Sequence, residues 1–147
     1  MERILVVLTS DEPDPVLLDA AKQYVIGTDT EVILYRIHDR DDFEADVQQK
    51  ARSGRTSETI TEIESAAEET AKAIGADAFN DDITFTAVGE LGMIPEDILE
   101  VASERDVGHI FVSGRRRSPA SKLVMGDVAQ KIILNFSGPV TVTTRSE

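Results

Sequence analysis

The stretch Ile4-Leu5-Val6-Val7-Leu8 is a continuous apolar run near the start of the chain. A strand that is apolar at every position, and not at every second one, is typical of a parallel sheet covered on both faces. A polar loop over residues 9–14 follows the run, and Asp14-Pro15 supplies an N-cap and a first helical residue. The run therefore predicts a central buried strand that leads through a loop into a helix.

The same alternation of strand and helix continues along the chain. Predicted strands cover residues 4–8, 31–37, 83–88, 109–112 and 139–143, and predicted helices begin at Pro15, near Ile60, at Pro95 and at Asp127. Gly27 and Gly75 are expected to end the first two helices. Residues 38–56 are polar and charged, so we expect them to be either partly helical or mobile.

Five strands and four helices in this order predict a single α/β domain over residues 1–147. The expected architecture is a doubly wound, five-stranded parallel sheet with helices on both faces. In such a sheet the ligand lies beyond the carboxyl ends of the strands, where the strand order reverses. The loops after the first and fourth strands would then share one crevice, which brings Thr9-Ser10-Asp11 close to residues 113–118.

The composition narrows the class of protein. There is no cysteine among the 147 residues, which excludes disulfides, thiolate metal sites and cysteine nucleophiles. The chain carries 28 acidic and 15 basic side chains, a net charge of −13 that repels nucleic acid and anionic membranes. This acidic surface has two interpretations: solubility, or adaptation to high salt as in a halophilic archaeon. The sequence has no signal segment and no run long enough to span a membrane, so we expect a soluble, cytoplasmic protein.

The second half of the chain carries the most specific motifs. These are Gly114-Arg115-Arg116-Arg117-Ser118-Pro119, then Lys122, then Gly126-Asp127-Val128-Ala129-Gln130, and last Pro139-Val140-Thr141-Val142. Together they resemble the C-terminal signature of the universal stress protein family, and the resemblance extends over essentially the whole chain. It implies an adenine nucleotide alpha hydrolase-like fold, in which the five strands lie in the order 3-2-1-4-5. In the ATP-binding branch of that family, glycines and a hydroxyl hold the phosphates, while an aspartate and an aliphatic residue hold the adenosine.

The resemblance implies a pocket that keeps only part of the ATP-binding pattern. Gly114 and Gly126 match the first and last glycines, Ile37 matches the aliphatic position, and Val128 follows the helix start. The middle glycine is replaced by Arg117, and the segment between Arg117 and Gly126 is one residue shorter than in the family.

Two further positions depart from the family pattern. Asp127 stands where the hydroxyl is expected, and Thr9 where the first-strand aspartate is expected. The resemblance therefore leaves ATP as a candidate ligand and assigns no cofactor.

Two of these positions have more than one explanation. Asp127 suits a helix N-cap with Gln130 three residues later, which is an alternative to a ligand contact. Arg115, Arg116 and Arg117, with Ser113 before them, form a solvated loop, neutralise nearby carboxylates, or form an anion subsite, since a guanidinium matches phosphate and carboxylate.

The sequence assigns no catalytic residue and no metal ligand. His109 begins a predicted inner strand, where a packed or edge position is expected. His38 ends the second strand ahead of several acids, a pattern more typical of a solvent-facing loop than of a metal site. No Ser-His-Asp set, no paired carboxylates and no complete phosphate loop occur.

The last strand bears on assembly. Val140, Thr141, Val142 and Thr143 would lie at the edge of the sheet, and an exposed apolar edge invites pairing with a second copy. The resemblance likewise implies dimerisation through this strand. We therefore predict a stress-response binding module that forms a homodimer and has an altered nucleotide-type pocket. Two alternatives remain: an ATP-binding member with weak or slow hydrolysis, and an enzyme of a related fold.

Overall fold

A computed structural model describes residues 2–52, 59–80, 82–114 and 127–144. Its elements are β1 (Arg3–Leu8), α1 (Pro15–Val25), β2 (Glu31–Asp39), α2 (Arg40–Arg52), α3 (Ile60–Phe79), β3 (Phe85–Gly92), α4 (Glu96–Glu104), β4 (His109–Gly114), α5 (Asp127–Asn135) and β5 (Val140–Thr144). The strands form one sheet in the order β3-β2-β1-β4-β5, and all four pairings between neighbours are parallel. The predicted doubly wound α/β fold and its strand order are confirmed.

The central position of β1 follows from its apolar run. Ile4 is paired with Val32 of β2 on one side and with His109 of β4 on the other. Successive side chains of β1 point to opposite faces of the sheet, so Ile4 and Leu5 enter different cores, and both are completely buried. Burying each such side chain stabilises the fold by roughly 1.5–3 kcal/mol.

Two layers of helices cover the sheet. One core joins β1 and β2 to α1 and α3, with Leu17, Ala71 and Phe79 among its members. The other joins the opposite faces of the strands to α4 and α5, through residues such as Ile98 and Ile132. Among the described residues, no helix is both long and apolar enough to cross a membrane.

The first and last helices begin as their sequences predict. The carboxylate of Asp14 accepts a hydrogen bond from the Leu17 N–H at 3.2 Å, which confirms it as the N-cap of α1. That helix ends at Val25, and Gly27 follows with a φ of 79°, in the left-handed region that glycine favours. The predicted helix over residues 127–135 coincides with α5.

The predicted end of α3 is wrong. Gly75 does not stop the helix, which continues to the completely buried Phe79. A Cβ at Gly75 would come within 2.4 Å of the Phe85 ring and 2.7 Å of a Leu34 methyl group, so a glycine is required at this position inside the helix. The glycine therefore serves the close approach of α3 to the sheet.

The structure also revises four other parts of the prediction. The segment after β2 contributes a fifth helix, α2, so its helical alternative is correct for residues 40–52, while 53–58 lie outside the described residues. The third strand covers Phe85–Gly92 and not 83–88, because its carboxyl half pairs with β2 as far as Asp39↔Gly92. Pro95 directly precedes α4, which begins at Glu96, and β5 runs one residue beyond the predicted strand.

Candidate functional site

The carboxyl ends of β1, β2 and β4 bring several predicted site residues to one edge of the sheet. Thr9 directly follows β1 and is exposed. Leu8 is paired with Arg36, so the next residues along the two strands are Thr9 and Ile37. Ser113 and Gly114 end β4, on the other side of β1. Thr9, Ile37, Ser113 and Gly114 therefore lie at the same edge of the sheet, where the strand order reverses.

Ile37 is deeper than a ligand contact requires. Its side chain is completely buried in the core beneath α4 and α5. Its carbonyl accepts a hydrogen bond from Arg36 Nη1, so the backbone at this position is already engaged. No part of the Ile37 side chain is exposed to the crevice.

Gly114 is the one glycine of the predicted phosphate-binding set that the structure describes. It is buried, and a Cβ added there would lie 2.9 Å from Val142 Cγ1 of the neighbouring strand. A glycine is needed here because β5 leaves no room for a side chain. The hydroxyl of Ser113 donates to the Gly114 carbonyl at 3.3 Å, so it is turned along its own strand.

The far side of the crevice is described in part. Arg115, Arg116, Arg117 and Gly126 lie outside the described residues. Asp127 is exposed in the first turn of α5, where a carboxylate interacts favourably with the positive end of the helix. Val128 is half-buried and packs against the core under α5.

Arg36 is the charged residue of this edge that sequence analysis missed. It is only 4% exposed, and its Nε donates to Asp11 Oδ1 at 2.9 Å. Its Nη2 lies 3.3 Å from His38 Nε2. A buried guanidinium requires such partners because removing a charge from water is costly. The available signal was an arginine inside an otherwise apolar strand, between Tyr35 and Ile37.

A second polar group ties the edge strand β3 to its neighbours. The hydroxyl of the fully buried Tyr35 donates to the Glu90 carboxylate of β3. Burial, and then the hydrogen bond to Glu90, raise the pKa of Tyr35 far above its ordinary value. Glu64 accepts from the Leu91 N–H at 3.0 Å, and Asp97 accepts from the Met93 N–H at 2.8 Å. The carboxyl end of β3 is thus held from both α3 and α4.

A cavity of about 340 Å³ lies at the opposite end of the sheet. It is bounded by the α1–β2 loop and by the residues leading into β3, with Asp29, Glu31 and Asp82 on its wall. Two of these acids have basic partners, because Asp82 pairs with Lys22 at 4.0 Å and Glu31 with Arg3 at 3.7 Å. The cavity lies at the amino ends of the strands and is separate from the predicted crevice.

The two histidines have different surroundings. His109 is packed as predicted: it is 7% exposed and stacked on Phe111. His38 is half-buried beside Arg36, and it is followed by Asp39 at the end of β2 and by Asp41 in the first turn of α2. Within the ranges that the structure describes, no three His, Asp or Glu side chains come together in a way that could hold a metal ion.

Solved structures share this fold across their whole length. The hypothetical protein MJ0577 matches 99% of this chain with 97% of its own, at a TM-score of 0.74 and 17% identity. The universal stress protein UspA from Lactobacillus plantarum matches with 97% coverage of both chains, a TM-score of 0.59 and 11% identity. A universal stress protein family protein from Arabidopsis thaliana, solved with AMP bound, matches 99% of this chain with 93% of its own, at a TM-score of 0.58 and 12% identity. At these identities the likeness establishes the fold.

The sequence itself matches a family model over nearly its entire length. No curated protein matches this sequence. The matching family model is that of the universal stress protein family, and the match extends over residues 1–144. It includes every strand, the crevice edge and the segment with the three arginines. The chain therefore belongs to the universal stress protein family.

Proposed function

We propose that this chain is a stress-response binding module that holds an adenine nucleotide at the carboxyl edge of its sheet and assembles as a homodimer through β5. The observation that carries the nucleotide proposal is the meeting of Thr9, Arg36 and Gly114 at the edge where the strand order reverses. The AMP bound to the Arabidopsis thaliana relative supports an adenine nucleotide as the class of ligand.

The charges around the crevice favour a nucleotide with few phosphates. Asp127 places a carboxylate at the start of α5, where it would repel a triphosphate. Thr9 offers a hydroxyl in place of a carboxylate, so it can both donate to and accept from a nucleoside. Arg115, Arg116 and Arg117 follow Gly114 directly in the sequence and would supply guanidinium donors to a phosphate. We therefore expect AMP to bind at least as tightly as ATP.

Calorimetric titration with adenosine, AMP and Mg-ATP tests the proposal. We expect heat with AMP, a weaker response with adenosine, and about a tenfold or greater loss of AMP affinity in Arg117→Ala, since a charge-assisted hydrogen bond contributes about 1.5–3 kcal/mol. Arg105→Ala is the matched control, because Arg105 is an exposed arginine at the end of α4, away from the carboxyl edge. Absence of heat with all three ligands at millimolar concentration would contradict nucleotide binding.

The dimer proposal depends on the outer edge of β5. Val140, Thr141 and Val142 are half-buried and Thr143 is 9% exposed, while the described sheet gives β5 one neighbour, β4. The adjoining helix α5 exposes Leu134 at 72% and Ile133 at 41%. An unpaired strand edge beside exposed apolar side chains is a common site of self-association.

Sedimentation velocity at micromolar concentration, in low and in high salt, tests the dimer. We expect Leu134→Glu to weaken association, because it would bury a charge beside the paired edges. Ile60→Glu is the control, since Ile60 is 48% exposed on α3, which covers the sheet near β3 at its other edge. A wild-type chain that sediments as a monomer in both salts would overturn the dimer proposal.

Three properties stay predictions. Slow ATP hydrolysis is the alternative to simple binding, and release of inorganic phosphate from Mg-ATP, compared between the wild type and Arg117→Ala, tests it. Cytoplasmic location and a halophilic archaeal origin are predictions from composition alone. Unfolding midpoints measured from 0.1 to 3 M KCl test the high-salt interpretation, which requires stability to rise strongly with salt.

A further inference from the structure

His109 lies in an aromatic cluster that joins β4, β5 and α1. Its ring is stacked on Phe111 at a centroid distance of 4.5 Å and an interplanar angle of 18°. Tyr24 of α1 meets both rings edge-on, at 4.8 Å from His109 and 5.5 Å from Phe111. Across to the edge strand, His109 Nε2 lies 2.8 Å from the hydroxyl of Thr141. The imidazole is thus the polar contact that links β5 to this cluster.

Protonation of the second ring nitrogen of His109 would create an N–H donor without an acceptor. Nδ1 is buried, and no hydrogen-bond partner for it exists among the described residues. The neutral imidazole tolerates this, because one nitrogen can serve Thr141 while the other stays unprotonated. An imidazolium carries N–H donors on both nitrogens, so protonation would leave a buried donor unsatisfied and a charge desolvated.

One nearby acid opposes burial, because it favours the protonated form of His109. Glu2 precedes β1, and its carboxylate accepts from the Tyr24 hydroxyl at 3.1 Å. Its negative charge favours the imidazolium, but burial has the larger effect, and the pKa of His109 is held below its ordinary value. Tyr24 is the titratable group that α1 places against the ring, and β5 contributes threonines there. The neutral state of His109 is therefore the one that the fold selects.

We propose that His109 is a proton-sensitive support of the edge strand, which holds β5 in place when neutral and loosens it when protonated. In the described sheet β5 has one strand neighbour, β4. The His109–Thr141 contact adds a polar side-chain link from β5 to the layer formed with α1, so the effect of protonation should be confined to β5. The imidazolium can still donate from Nε2 to Thr141, so the link is lost when the ring turns out of the cluster to hydrate its Nδ1–H and its charge. That movement exposes the end of the sheet first, while β1, β2 and β3 keep their own pairings.

The direction of the pH effect follows from proton linkage. In the unfolded chain His109 has a pKa of about 6.5, whereas the fold lowers it, so the unfolded chain binds more protons below that pH. Stability is then fully present above about pH 7 and falls as the pH decreases through about 6.5. At pH 5.5 an unfolded-state histidine is about nine-tenths protonated, so the unfolding equilibrium constant rises by up to about tenfold.

Unfolding by urea at pH 7.5 and at pH 5.5 tests the proposal, since both values lie above the usual range of carboxylate titration. We expect the wild-type midpoint to fall between the two pH values. His109→Gln removes the titration and keeps an amide that can bond Thr141, and His109→Phe keeps the ring stack. Either variant should lose most of the pH response. His38→Gln is the matched control, because it removes the other of the chain's two histidines, and the pH response that depends on His109 should persist in it.

Amide hydrogen exchange separates local from global loosening. We expect the protection factors of β5 to fall at pH 5.5 in the wild type while those of β1 and β2 persist, and to hold in His109→Gln. A pH response that is equal in the wild type and in both His109 variants, or one removed by His38→Gln, would overturn the proposal. A loss of protection spread evenly over β1, β2 and β5 would overturn the local role.

The consequence for assembly rests on the proposed dimer. If two chains pair through β5, acidification should raise the dimer dissociation constant in the wild type and leave it unchanged in His109→Gln. Sedimentation at the two pH values measures this. A chain that is monomeric at both pH values contradicts the dimer and leaves the urea and exchange experiments to decide the role of His109.

Discussion

The guanidinium of Arg36 and the carboxylate of Asp11 form an ion pair, 2.9 Å from Nε to Oδ1, that joins a buried strand to an exposed loop. The Arg36 side chain is 5% exposed and that of Asp11 66%. The arginine therefore depends on a loop residue for its counter-charge, and the loop after β1 depends on β2 for its position. This pair lies at the edge where we propose that the nucleotide binds.

We predict that Asp11→Asn destabilises the protein more than Arg36→Met does. The first change leaves a buried cation without its counter-charge, whereas the second removes the charge and keeps an apolar side chain of similar length. Because Asp11 is largely exposed to solvent, we expect a loss of about 1–2 kcal/mol for Asp11→Asn. Urea unfolding at pH 7.5 measures both. Glu12→Gln, one residue further along the exposed loop, is the control and should change stability by less than about 0.5 kcal/mol. Equal losses in Asp11→Asn and Glu12→Gln would show that the pair contributes nothing specific.

We predict that Tyr35 does not ionise while the protein is folded. Its pKa is raised by burial and by the bond to Glu90, and that of Tyr24 is raised chiefly by its bond to Glu2. Since a raised folded pKa favours the protonated form, the stabilisation is present below the unfolded value of about 10 and is lost as the pH rises above it. The chain has two tyrosines, so absorbance titration of Tyr24→Phe observes Tyr35 alone. Its ionisation should coincide with alkaline unfolding; ionisation near pH 10 with the circular dichroism unchanged would count against the buried contact.

We predict that Gly75→Ala destabilises the protein in spite of its better helix propensity. Alanine is favoured over glycine in a helix by about 1 kcal/mol. The added Cβ, however, would lie 2.4 Å from the Phe85 ring, so the packing of α3 on the sheet must shift, at a cost of roughly 1–3 kcal/mol or more. Thermal or urea unfolding measures the net loss. Gly108→Ala is the control, because a Cβ there meets nothing within 4 Å. An unchanged or higher stability in Gly75→Ala would mean that α3 can move away without cost.

Much of the fold could be predicted because it depends on neighbours in sequence. The apolar run of β1, the Asp14 N-cap with Pro15 after it, and the bounds of α5 are set by side chains within a few residues of one another. Alternation of such segments implies a parallel sheet, and the predicted strand order follows from it together with the family resemblance.

The candidate site could be predicted only in outline. The edge that carries Thr9 and Gly114 follows from the strand order, but the burial of Ile37 and the Arg36–Asp11 pair do not. An arginine in an apolar strand indicates a partner, yet 25 residues of chain separate it from the aspartate that it finds. Which acid is close enough depends on how the loop after β1 lies against the end of β2.

By itself, the amino-acid sequence of this protein determined that five strands alternate with helices, where α1 and α5 begin, and the family. Only the tertiary structure decided which local signals were overridden, as at Gly75, where a residue that usually ends a helix instead admits the Phe85 ring. It alone also decided the state of His109, whose neutral form depends on burial under Tyr24 and on one hydroxyl of β5. The physical reason is common to both: desolvation and steric exclusion depend on atoms that are distant in sequence and close in space.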